Sequence, residues 1–163
     1  MNSILLAGAT WLHLLATVTV IGLYLVMFWA VTPAVMAAPE RAGVLVETYR
    51  RTKPLVLGSW LIFVVTGIGL MLLNPSYLGI GRFENTWSIL MLVKHLVVLA
   101  MILMTGFTDV CPAIGMMRPL ETALVRDDST RLQAVLRTLH TREGITMALG
   151  ALVLLLTAAA TVS

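Results

Sequence analysis

The chain has 163 residues, 59% of them hydrophobic and only 12% charged, with a mean hydropathy of +0.95. Soluble domains are roughly half apolar and a quarter charged, so this composition predicts a one-domain (residues 1–163) integral membrane protein. The formal charge of +3 comes from basic residues that flank apolar stretches, which argues against a nucleic-acid face, and the single cysteine, Cys111, excludes an internal disulfide or a CxxC site.

Four segments are long enough to cross a bilayer, which takes roughly 20 apolar helical residues. The first runs from about Ile4 to Trp29, or on to Pro33. Met1-Asn2-Ser3 offers no basic stretch and the apolar run exceeds the roughly 7–15 residues of a leader, so this segment is expected to be a retained span. A basic loop follows, with Arg41, Arg50, Arg51 and Lys53 and a short amphipathic stretch from Val44 to Tyr49. The second span runs from Pro54, a residue suited to a first helical turn, to Leu73, where Asn74-Pro75 ends it. The third runs from about Trp87 to Phe107.

The next loop carries Arg118, Arg126, Arg131, Arg137 and Arg142. Asp128 or Ser129 can cap a helix there, and Leu132, Val135, Leu136 and Leu139 recur at helical spacing. That helix is expected either at the membrane surface or running directly into the fourth span, Gly144 to Val162. The loop between the second and third spans holds only Arg82, and the termini hold no basic residue. Basic loops stay cytoplasmic. The expected architecture is therefore an all-α, up-down four-transmembrane-helix bundle with both termini outside, in a bacterial-type inner membrane.

Two histidines fall inside the spans, where an ionisable group is costly and marks a functional site by default. His13 lies roughly 14 Å below Ile4, and His95 lies roughly 12 Å below Trp87 on a span entering from the same side. At matched depth they could act as the two axial ligands of a non-covalent b-type haem, with Arg82 as a propionate partner. The plain alternative for His13 is a hydrogen bond across helices, to Thr10 or a serine. Small residues near His13 (Ala9, Thr10, Ala16, Thr17) permit close helix packing or leave room for a flat ligand.

Lys94 sits about 100° round the helix from His95 and is expected to face the interior. Met91 and His95 share a helical face, and thioethers suit Cu(I), so Met91, His13 and His95 are also candidate copper ligands; the ten methionines, however, form no methionine-rich run. Asp109 reads as a solvated acid near the cytoplasmic end of the third span. His140 reads as a surface histidine of the last loop, and Cys111 as chemically silent.

Trp11-Leu12-His13-Leu14-Leu15-Ala16, the basic Tyr49-Arg50-Arg51, Thr66-Gly67-Ile68-Gly69-Leu70 and Val93-Lys94 together resemble the CopD-like copper-resistance membrane domain and the related HemJ-type protoporphyrinogen oxidases. The resemblance covers about residues 4–115. It implies copper movement across the membrane in the first case, and haem binding with protoporphyrinogen oxidation in the second. It also implies that His13 is the family histidine and Lys94 the family lysine, whereas His95 is not part of the pattern. Four readings stay open: a small b-type haem protein or subunit for electron transfer, a copper transport or tolerance protein, a HemJ-like oxidase, and a non-catalytic subunit. Whether the chain is itself an enzyme is left undecided. The partners expected are the lipid bilayer and either other membrane subunits or further copies of the chain.

Overall fold

The computed structural model describes residues 3–77, 79, 85–107 and 116–161. The described elements are helical. Helix α1 (Ser3–Val26) passes through one π-helical turn (Met27–Val31) into α2 (Thr32–Ala37), and a 3₁₀ turn (Pro39–Arg41) leads into α3 (Ala42–Leu72). After the α3–α4 connection come α4 (Thr86–Ile102), its π-helical extension Leu103–Phe107, α5 (Met117–Val125) and α6 (Ser129–Thr161).

Prolines and caps explain these boundaries. Pro33 has no N–H, and its ring crowds the carbonyl four residues back, at Trp29. The π turn widens the helix there, with the Thr32 N–H bonding to the Met27 carbonyl, so the chain continues to Ala37 instead of stopping. Ala38, which precedes Pro39, is forced out of helical geometry (φ −137°, ψ 74°) and ends α2. Asn85 caps α4, its side chain accepting from the Ser88 N–H at 2.7 Å. Asp128 caps α6 by accepting from the Arg131 N–H at 2.9 Å. The helix of the last basic loop therefore runs straight into the fourth apolar segment as one element.

Pro54 does not start the second long helix. It lies inside α3, which begins at Ala42 and absorbs the amphipathic stretch expected in the loop. Its missing N–H leaves the carbonyl of Arg50 without a helical partner, and residue 50 is exposed, where water can serve that carbonyl. Glu47 also pairs with both Arg50 and Arg51 at helical spacing, which favours helix on the N-terminal side of the proline.

Four stretches are long and apolar enough to cross a membrane: Ser3–Ala37, Pro39–Leu72, Thr86–Thr105 and Ser129–Thr161. Large apolar side chains cover their outer surfaces. Trp11, Val18, Trp29, Leu61, Val65 and Leu155 are each more than half exposed, a surface suited to lipid and not to water. Neighbouring helices run antiparallel. His13 of α1 meets Thr66 of α3 at one end, while Thr32 and Tyr49 meet at the other. Val98 and Val153 face one cavity, and Thr105 and Thr146 face another further along the same helix pair.

The interior has two parts. Within the apolar spans, Ala16, Val20, Tyr24, Val56, Trp60, Phe63, Val98, Met101 and Val153 pack together. At the end bearing the basic connections, Met27, Val35, Leu45 and Tyr49 pack on Leu120 of α5 and on Leu132, Leu136 and Leu139 of α6. Leu136 is fully buried in that second core. Its truncation to alanine is expected to cost about 2–5 kcal/mol and to lower the unfolding temperature in detergent, whereas Val125→Ala, at a position 87% exposed, should leave it unchanged.

Candidate functional site

His13 is half-buried on the inner side of α1 and packs against α3. Its ring stacks on Phe63 with centroids 4.4 Å apart and planes 24° apart. Nδ1 lies 3.0 Å from the Thr66 hydroxyl oxygen. Gly67 makes this approach possible, because a Cβ there would lie 3.0 Å from the imidazole Cε1. The cross-helix partner is thus Thr66, not Thr10, whose hydroxyl is spent on the Leu6 carbonyl of its own helix.

The direction of the His13–Thr66 bond follows from counting protons. A threonine hydroxyl carries one hydrogen, and that of Thr66 is donated to the Ile62 carbonyl at 2.6 Å. Thr66 is therefore the acceptor toward His13, which makes Nδ1 the protonated nitrogen and puts the lone pair of the neutral ring on Nε2. Thr17, one turn along, donates its hydroxyl to the His13 carbonyl at 2.7 Å and holds the backbone of the same turn. A neutral imidazole fixed by a hydrogen bond at one nitrogen and open at the other is the usual form of a metal-ligating histidine.

Lys94 of α4 is half-buried and close enough to His13 for the two to interact electrostatically. It makes no hydrogen bond or ion pair among the described residues. His95, the next residue, is exposed on α4, and its Nδ1 bonds to the Met91 carbonyl one turn back. Of the two neighbours, Lys94 is the half-buried one and lies within electrostatic range of His13, whereas His95 is exposed. Met91 is half-buried one turn from His95. Arg82, Asp109 and Cys111 lie outside the described residues. Among the described residues, no three of His, Cys, Asp and Glu gather closely enough to hold a metal ion between them.

A second polar cluster sits at the opposite end of the spans, centred on a residue the sequence did not single out. Glu143 of α6 is 1% exposed. Its Oε1 accepts from the Thr32 hydroxyl at 2.8 Å and from the Tyr49 hydroxyl at 2.7 Å. His140 is not a plain surface residue. It lies within α6, stacks flat on Phe28 (4.5 Å, 7°), and places Nδ1 3.9 Å from Glu143 Oε2. One signal in the sequence pointed to Glu143. The spacing of Leu132, Leu136 and Leu139, continued by four residues, reaches it.

No protein-family model, curated protein or solved structure matches the chain.

The assigned His13 tautomer can be read directly. In ¹⁵N NMR spectra of histidine-labelled protein, His13 is expected to give a protonated Nδ1 and an unprotonated Nε2. Thr66→Val, which removes the acceptor at constant shape, should mix the two tautomers. An Nε2-protonated His13 in the wild-type protein would contradict the assignment.

Proposed function

We propose that this chain is a multi-pass membrane haem protein that carries out redox chemistry on a tetrapyrrole, of the kind the resemblance to HemJ-type oxidases implies. One observation carries the reading: Nδ1–H of His13 donates a hydrogen bond to Thr66, which puts the lone pair of the ring on Nε2. Imidazole nitrogen is a standard axial ligand of haem iron, and the residues present fit that role. A bound haem would supply the electron-accepting centre. His13 would hold it, while Thr66 and Phe63 fix the ring plane and Gly67 gives the imidazole its space. Lys94 supplies a positive charge suited to a carboxylate, the group that tetrapyrrole side chains carry.

This reading differs from a bis-histidine cytochrome in the role of His95, which is exposed and bonded to its own helix. It places the loops bearing Arg41 to Lys53 and Arg118 to Arg142 in the cytoplasm, and His13 in the outer half of a bacterial-type inner membrane.

The test uses purified full-length protein reconstituted with haem. Thr66→Val is expected to weaken haem affinity roughly 10–100-fold, as loss of the group orienting a ligand does. Lys94→Met is expected to retain haem while lowering the rate of protoporphyrinogen oxidation at least about tenfold, equivalent to ~1.4 kcal/mol. A protein that takes up copper and no haem would favour the copper reading. Full oxidase activity in Lys94→Met would remove lysine from the site.

A further inference from the structure

We propose that Glu143 is a proton-exchange site at the basic end of the bundle, loaded from the aqueous phase through His140. The site needs nothing from the ligand at His13. A carboxyl group 1% exposed is costly to hold as a bare charge, so its neighbours decide its state. The Thr32 and Tyr49 hydroxyls both donate to Oε1. Oε2 faces Nδ1 of His140 at 3.9 Å, a gap that a small side-chain shift closes to a hydrogen bond. That nitrogen is buried and makes no hydrogen bond among the described residues, although a third of the His140 side chain is exposed.

His140 thus reaches both water and the buried acid. Its ring plane is set by the flat stack on Phe28. Phe28 in turn rests over Gly144, where a Cβ would lie 3.0 Å from the Phe28 ring. The pair is satisfied with the proton on either side. Imidazolium donates Nδ1–H to the carboxylate, or the carboxylic acid donates Oε2–H to the Nδ1 lone pair. A ring protonated at Nδ1 takes a solvent proton at Nε2; the Nδ1–H bond then breaks as the Oε2–H bond forms, which leaves neutral imidazole with its proton on Nε2.

Glu143 borders a small cavity shared with Arg142 and with Tyr24, Thr105 and Thr146, three residues whose hydroxyls can receive or pass a proton. The titratable and charged groups facing it, among the described residues, are Tyr24 of α1, Tyr49 of α3, and His140 and Arg142 of α6.

Infrared difference spectroscopy of the full chain in lipid nanodiscs, titrated between about pH 5 and 8, tests the proposal. A carboxylic C=O band is expected to appear as pH falls and to be missing in Glu143→Gln, whose amide oxygen still accepts from Thr32 and Tyr49. His140→Phe keeps the stack on Phe28 and leaves the hydroxyl network untouched. It is expected to slow the band's appearance after a pH jump at least about tenfold. A wild-type protein with no titrating carboxyl band would make Glu143 a fixed packing group and overturn the proposal, and an unchanged rate in His140→Phe would overturn the relay.

Discussion

The fold is organised around a carboxylate that has been taken out of water. Glu143 could not sit 1% exposed without donors, and those donors come from α2 and α3. Satisfying them sets the height of α6 against two other helices. The same contact joins the two cores, because Tyr49 and Leu139 belong to the basic-end cluster while Thr146, Gly150 and Val153 lead into the span. Removing one hydroxyl donor from such a buried carboxyl typically costs about 1–3 kcal/mol.

With that end fixed, the opposite end follows. Helices α1 and α3 are antiparallel, so anchoring Thr32 near Tyr49 determines which residue of α3 lies opposite His13. That residue is Thr66, with Phe63 a turn below and Gly67 beside it. The imidazole is held by a stack, a hydrogen bond and a close backbone approach at once. Between the two polar ends lies an apolar stretch built on Val20, Trp60, Val98 and Met101.

The long apolar helices were legible in the sequence because a bilayer fixes their minimum length and composition. Their faces were not. In water a helix shows which side is buried by which side is apolar, but in lipid both sides are apolar. On α4 the exposed Leu92, Val93 and Leu96 are chemically indistinguishable from the buried Val98 and Met101. Nothing in the pattern therefore chose between Lys94 and His95 as the less exposed of the two. Charge misled in α3, where Glu47, Arg50 and Arg51 read as a loop yet pair at helical spacing and carry the helix through Pro54. Glu143, not singled out from the sequence, is a charged residue at a core position of the repeat running Leu132, Leu136, Leu139, Thr146, Gly150 and Val153. Its donors lie 111 and 94 residues away, a separation that no local pattern reports.

The central claim, that His13 and not the pair His13/His95 holds a haem, is tested most directly by the reduced-minus-oxidised optical spectrum of the detergent-purified protein beside His13→Ala and His95→Ala. The account predicts a haem spectrum in the wild type, its loss in His13→Ala and its retention in His95→Ala. A spectrum lost equally in both variants, or no haem in the wild-type protein, would contradict it.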